Sequence, residues 1–470
     1  METILKHALA VLSAAVLIVV ASSFSRAEYA PFGRGVPLVN NDKLDLDMYG
    51  RGQMLGVYEN VPDHVRNHNR VYLFMKQARL GWTGSYADVM RYEVELAYGG
   101  EDANGSNTDL SLMNFVADVP IKPLGEGVVL KIGQFRVPYS REGLGDEGFQ
   151  DFADRSIANL ASYQGRDYGL ALMGTRGAWT GTVGTFSSGG RDVPQRYLPE
   201  QLGVPEIVTR FGYNDGVDED LYHVMGTDRN LTRTTKAFMF NAIYEQDTQI
   251  GHSTALNAKT TDKNLLTDPL FNPYITQGGP GAGQSIGTAA SLQRGNLWFV
   301  GGDAVVRHPL GGGRAVEGEL EANYGGYQNR FGVIHIASAR AQGDYQFGPW
   351  EIGARYAVLG MDRKAGFVSS SATGPSTAAG PIQQNVNARM GTPIHEITPS
   401  LTYHFKQHRM KIVADAPIYL DCPIWYDNAD GAYAFPDPTS VDQGSVLATA
   451  GNNTARRTVV EGRMMFQFQF

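Results

Sequence analysis

The last twelve residues, Val459-Val460-Glu461-Gly462-Arg463-Met464-Met465-Phe466-Gln467-Phe468-Gln469-Phe470, alternate between two chemistries. One parity carries Val460, Gly462, Met464, Phe466, Phe468 and Phe470. The other carries Glu461, Arg463, Met465, Gln467 and Gln469. Successive side chains of a strand point to opposite faces, so this stretch is a strand with one apolar and one polar face, Met465 excepted. A water-soluble sheet would pack the Phe face on a core. A membrane-spanning barrel would turn that face to lipid and the polar one to a wet lumen.

The other end of the chain bears on that choice. Lys6 and His7 precede an apolar run, 8–21, and Ser25-Arg26-Ala27 then offers small residues before Glu28. The run is too short for a comfortable membrane span, so residues 1–27 read as a signal peptide, with an uncleaved anchor as the competing reading. Either implies export. No later segment holds enough uninterrupted apolar residues for a membrane helix. The chain does carry 56 Gly, 23 Tyr and 21 Phe. An exported chain with that load can span lipid only as a closed barrel, because hydrocarbon leaves no open sheet edge satisfied. The single Cys422 excludes an intramolecular disulfide framework and a Cys-based metal site. A formal net charge of −8 argues against a nucleic-acid partner.

Along the chain, residues 28–42 bear Pro and Gly without a period and read as a short periplasmic lead-in. The barrel is expected over 43–470. Alternation predicts strands over 43–59, 70–84, 86–99, 107–119, 127–138, 166–176, 178–187, 205–213, 234–246, 295–307, 314–326, 330–347, 349–361, 394–406, 408–420 and 459–470. The clearest sets Tyr92, Val94, Leu96 and Tyr98 against Arg91, Glu93 and Glu95. Short connections fall at Ser85, 120–126, Gly177, 308–313, Gly348 and Gln407, with most long ones between them. The large ones are 189–204, 247–294, 362–393 and 421–455. Barrels put short turns on the periplasmic side and long loops outside, whereas a soluble sandwich has no reason to alternate so. Two places break the rule: 214–233 is long on the short side, and the loop holding Gln328 is short on the long side. The fold expected is all-β, a transmembrane antiparallel β-barrel of about 16 strands.

Residues 139–165 form the connection with most chemistry: Arg141, Glu142, Asp146, Glu147, Asp151, Asp154 and Arg155. Part of it, 148–160, suits a helical turn or two. Loops this long are uncommon unless functional. Folded into a lumen, its acids would face basic wall residues, and the two would set a transverse field and an ion preference. The competing reading is an exposed surface loop.

At this point a family resemblance becomes specific. Gly133-Gln134-Phe135-Arg136-Val137-Pro138-Tyr139, then Asp154-Arg155-Ser156, Arg166-Asp167-Tyr168-Gly169 and Gly181-Thr182-Val183-Gly184-Thr185-Phe186 resemble consecutive signatures of the phosphate-selective porin O and P family. Gly353-Ala354-Arg355-Tyr356 and the closing strand, whose terminal Phe is similar to an outer-membrane assembly signal, add to it. The match is good over about 70–190 and weak in the large loops. The resemblance implies a sixteen-stranded outer-membrane channel, homotrimeric, with its third loop constricting the pore. It also implies an Arg ladder and a central Lys cluster. Here lysines are sparse. Lys76 and Lys131 are the main wall candidates, beside Arg51, Arg79, Arg91, Arg136, Arg355 and Arg463, and phosphate selectivity is therefore not carried over.

Other motifs carry less. His64 and His68 sit in a Pro-bearing loop that makes a poor metal-binding helix. The acids at 215–220 lack the ordered spacing of a calcium loop. The run 278–283 lacks the Lys-Ser/Thr of a phosphate loop, and no Gly-x-Ser-x-Gly frames a nucleophile. The function expected is passive diffusion of ions and small hydrophilic solutes, anions such as phosphate among the candidates, without catalysis, cofactor or metal. The partners are outer-membrane lipid and the solutes themselves. The alternative is a surface-binding or adhesion barrel whose loops plug the lumen, and a third reading is a barrel with a hydrolase site on its rim. A charged, open constriction would favour the first, and one filled by loop aromatics the second.

Overall fold

A computed structural model describes residues 35–61, 68–98, 110–162, 165–187, 204–216, 232–248, 295–329, 332–361, 393–426, 433–434 and 456–470, apart from residues 42, 88, 126, 407 and 424. In chain order the strands are β1 Val36–Asn40, β2 Leu44–Val61, β3 His68–Tyr86, β4 Met90–Tyr98, β5 Ser111–Pro120, β6 Val129–Arg136 and β7 Arg166–Arg176. They continue as β8 Trp179–Phe186, β9 Val204–Asn214, β10 Thr235–Thr248, β11 Gly295–Gly311, β12 Arg314–Asn329, β13 Gly332–Phe347 and β14 Trp350–Met361. Last come β15 Ile394–Lys406, β16 Met410–Asp415, β17 Ile418–Pro423, the two-residue β18 Trp425–Tyr426 and β19 Tyr433–Ala434, and β20 Arg456–Gln469. The short helices α1 Arg141–Leu144 and α2 Ile157–Ser162 lie between β6 and β7.

Each strand from β2 to β15 pairs antiparallel with the next. β15 then pairs with both β16 and β17. Those two are one stave interrupted at Pro417, which has no N–H to give the ladder. The main chain bridges the break, with Ala416 N donating to Pro399 O (3.1 Å) and Glu461 N donating to Pro417 O (3.0 Å). Both halves pair with β20, and β20 pairs with β2, so sixteen staves close. Closure leaves no row of unpaired backbone groups, which hydrocarbon would not tolerate.

Burial is inside out, and that selects lipid over water. On β20, Met464 is 60% and Phe468 50% exposed, while Gln467 is fully buried and Gln469 is 7% exposed. Val71, Leu73, Leu320 and Phe240 stand outward on other strands, while Lys76, Glu95, Arg210 and Glu396 point in. A continuous apolar exterior around a polar interior is the reverse of a soluble sheet. Met465, the apolar residue on the polar face, packs inside with Leu55, Val413 and Ala153.

The strands fall close to the expected spans, and the differences have local causes. The first turn is at Ala87–Val89, two residues beyond Ser85, because Ser85 still pairs with Asp45 and Arg91. Residues 36–40, expected to be aperiodic lead-in, form β1 on β2 (Val36 opposite Met48, Asn40 opposite Asp45). β20 covers β2 only from Gly50 upward, where Gly50 and Phe470 exchange two backbone hydrogen bonds (3.2 and 3.0 Å). β1 continues that line toward the short-turn rim and covers the edge that would otherwise be bare. The signal-peptide reading of 1–27, most of the large loops, His64 and the acids at 218–220 lie outside the described residues.

The inserted loop and the charged lumen

The loop between β6 and β7 starts with a change of direction. Ser140 adopts φ 68°, turning the chain from the wall into the lumen, and its Oγ accepts from Gly143 N (3.1 Å) to cap α1. Arg136 donates to the carbonyls of Leu144 (2.6 Å) and Gly145 (2.9 Å), placing a cation at the other end of that turn. At the loop's exit Gly165 has φ 64°, and its carbonyl accepts from Val137 N (3.0 Å), which ties the two ends together.

Between those ends the wall's side chains satisfy the loop's backbone, which is the condition for burying irregular chain. Gln53 donates to Glu147 O (3.1 Å), Gln467 to Gly148 O (2.8 Å), Lys411 to Gln150 O (2.5 Å) and Lys76 to Ala153 O (2.6 Å). Asp415 accepts from Ala153 N (2.9 Å), Glu396 from Ile157 N (2.7 Å) and Glu321 from Glu142 N (3.0 Å). These partners come from β2, β3, β12, β15, β16 and β20, all inward-facing. A segment that reaches so much of the circumference lies across the lumen and not on the surface.

The register of β3 aims one of these groups. Gln53 is opposite Gln77 but Met54 is opposite Met75, so Lys76 is the extra residue of a bulge. The bulge turns both Lys76 and Gln77 inward and reverses the strand's parity above them. Lys76 thereby also reaches Asp154 (3.1 Å).

The expected constriction residues are brought together, most of them as ion pairs with the wall, while Arg155 pairs with Glu147 inside the loop and Asp151 lies against wall carboxylates. Glu147 is the hub, with Arg136 at 2.7 Å, Arg79 at 3.1 Å, Arg51 at 3.5 Å, and Arg155 in contact. Burial works against its charge, and the four guanidiniums overrule that, holding its carboxyl well below the usual range. Arg51 also pairs with Asp146. Glu142 accepts from Ser156 and lies 3.6 Å from both Arg340 and Arg355. Arg141 reaches Asp303 (2.9 Å), and Arg355, stacked 4.5 Å over Phe152, pairs with Glu396 (2.7 Å). Arg463 pairs with Asp415 (2.7 Å). Two expected wall residues stand apart from the loop: Lys131 pairs with Asp118 near the short turns (2.9 Å), and Arg91 opens β4 beside the first turn, half-exposed. Loop acids and wall bases thus face each other as expected, and direct ion pairs join the two sets.

Sequence reading missed much of the opposite wall. Glu317, Glu319 and Glu321 alternate along β12, Arg340 and Asp344 along β13, and Glu351 opens β14, all buried. The Glu-Gly-Glu-Leu-Glu run at 317–321 was the available signal. β2, β3 and β6 together carry Arg51, Lys76, Arg79, Lys131 and Arg136, so one side of the lumen is rich in bases and the other in acids. A cleft of ≈ 420 Å³ opens between the loop residues Asp146, Phe149, Asp151 and Asp154 and the wall residues Glu319, Arg340, Gln342 and Arg355.

A closed sixteen-stave barrel, apolar outside and charged within, with a loop folded across its lumen, defines a porin of the bacterial outer membrane. Residues 50–214 match the model of the family phosphate-selective porin O and P, a span that runs from β2 to the end of β9 and includes the inserted loop. Among solved structures, a loop-deletion mutant of OmpT, an outer membrane protein of Vibrio cholerae, is similar at TM-score 0.50 with 7% identity, over 91% of this chain and 100% of that one. The outer membrane channel DcaP of Acinetobacter baumannii is similar at TM-score 0.46 with 10% identity, over 93% and 100%. Pseudomonas putida OprB is similar at TM-score 0.46 with 10% identity, over 91% and 94%. No curated protein sequence matches this chain.

Proposed function

We propose that this porin passes small hydrophilic solutes down their gradients through a mixed-charge constriction, without phosphate selectivity and with a weak preference for cations. One observation carries this reading: every buried arginine among the described residues lies within ion-pair distance of a carboxylate. A phosphate or other anion would have to compete with those carboxylates for each guanidinium. Buried carboxylates also outnumber buried lysines and arginines among the described residues, so the residual lumen field favours cations. The charged side chains at the cleft, Asp146, Asp154, Glu319 and Arg340 among them, support an open channel over a plugged one, although the loop does bring Tyr139, Phe149 and Phe152 inside.

The test is the reversal potential of purified channels in a planar bilayer under a KCl gradient, repeated with added phosphate. The reading expects a small potential of cation-selective sign and an undiminished KCl current at low phosphate. Strong anion selectivity with phosphate block would overturn the selectivity, and absence of current would overturn the open channel. By the same family resemblance we propose a homotrimer, checked by native mass in detergent, and cleavage after Ala27, checked by N-terminal sequencing.

A further inference from the structure

We propose that Asp151 of the inserted loop and Asp344 and Glu351 of the wall form a binding site for a hard divalent cation, calcium by preference, which fastens the loop to the acidic side of the lumen. Asp344 and Glu351 face inward from the two arms of the β13–β14 hairpin, on either side of its Gly348 turn. Asp151 arrives from the loop, beside Gln150, whose carbonyl Lys411 holds. One carboxylate oxygen of each residue lies within 4.8 Å of those of the other two.

The second observation is the state of those carboxylates. The three residues are only 4%, 5% and 2% exposed. One oxygen of each is occupied: Gln342 Nε2 donates to Asp151 Oδ2 (3.4 Å) and Asp344 Oδ2 (3.0 Å), and Gln346 Nε2 donates to Glu351 Oε2 (2.9 Å), with His404 Nε2 at 3.2 Å from that same oxygen. The others, Asp151 Oδ1, Asp344 Oδ1 and Glu351 Oε1, are sealed from solvent and have no hydrogen-bond donor. Three buried acceptors without donors are costly, and three like charges this close repel, unless a positive species sits among them.

The donor set names the chemistry. Three carboxylates and no thiolate select a hard cation. Calcium takes about 6–8 oxygen ligands in a tolerant geometry, so three protein carboxylates leave places for water. Asp151 also lines the cleft between the loop and the wall, which gives the ion its path. Glu317 and Glu319 on β12 deepen the negative potential, Lys411 opposes it, and His404 and His408 stand beside Glu351 and Lys411. The rival occupant is a proton shared among the carboxylates.

The experiment titrates calcium alone into the purified, EDTA-treated full-length barrel in detergent, at neutral pH, by calorimetry. Resistance to unfolding in unheated detergent confirms that each variant is a closed barrel. The expected result is one calcium site per chain that weakens by about tenfold or more in Asp344→Asn/Glu351→Gln. Should the double variant not fold, Asp344→Asn alone serves, since the amide keeps the carboxylate's shape. Unchanged binding in the variants, or none in the folded wild type, overturns the site and leaves the carboxylates to share protons. Calorimetry does not need an open channel. A chain that binds calcium without passing current would therefore sink the porin reading alone, and a conducting chain that binds none would sink only this inference.

Discussion

Glu147 shows how one charge can hold a constriction together, since Arg51, Arg79, Arg136 and Arg155 all converge on it. Replacing it in Glu147→Gln keeps the shape and removes one negative charge from among four positive ones. The expected outcome is a folded channel whose reversal potential in a KCl gradient moves toward anion selectivity, with the permeability ratio changing roughly twofold or more. Breaking a buried pair costs about 3–5 kcal/mol, and Glu147 with Arg51 and Arg79 is buried, so the variant should also show a lower thermal midpoint. The direction of the pKa shift fixes the pH dependence. A depressed carboxyl keeps its charge as pH falls through about 4.5, where ordinary carboxylates protonate. The tether should therefore persist at that pH and fail only in stronger acid, read as a difference in reversal potential between wild type and Glu147→Gln that is undiminished from neutral pH down to there. Gly133, inside the signature that first pointed to the family, has a different role. Its φ of 129° lies where side chains are rarely found, and an added Cβ would meet Phe115 O at 2.0 Å. Gly133→Ala should cost about 1–3 kcal/mol, seen as a lower thermal midpoint with ion selectivity unchanged. At this scale sequence reading found the loop's charged residues but not their state, because pairing depends on which strands face each other across the lumen. Neither Asp303 under Arg141 nor Glu396 under Arg355 is near its partner in the chain.

Among the elements, the terminal strand was the most legible, because its period of two is set by backbone geometry and its environment reverses only which face is greasy. Lys76 and β1 were less so. A bulge adds one residue to one strand without changing composition, and at β3 it reverses parity midway, which alternation alone reads as noise. β1 is only five residues long, and its pairing is decided by where β20 stops. The turn after β3 was placed early for a similar reason, since only the pairing of Ser85 with Asp45 and Arg91 shows that the hairpin continues. The closing seam yields a prediction of its own. Phe470 exchanges two backbone hydrogen bonds with Gly50, and its ring lies over that glycine, where an added Cβ would meet it at 2.6 Å. Deleting Phe470 removes both bonds and the ring at the junction of β20, β2 and β1. The fraction of chain that migrates as a folded barrel in unheated detergent should fall, while the conductance of barrels that do close should match wild type. An unchanged folded fraction would show that the rest of the β2–β20 ladder holds the seam without it.

For the molecule as a whole, the functional quantity is a difference between two walls. Bases gather on β2, β3 and β6, acids on β12, β13 and the start of β14, and the loop's acids lean mostly toward the basic side. What an ion meets in the cleft is the field left after pairing, and that field acts through water. Its reach is the screening length, about 10 Å at 0.1 M salt and about 3 Å at 1 M. The first is comparable with the width of a constricted lumen and the second is shorter. Holding the concentration ratio across the bilayer fixed while raising both sides from about 0.1 M to about 1 M KCl should therefore shrink the reversal potential several-fold toward zero. Selectivity set by tight contact at a dehydrated binding site would behave otherwise, because a bound ion is screened much less. A reversal potential that survives molar salt would mean that ions are stripped and held at discrete groups, and the field between the two walls would no longer account for the channel's preference.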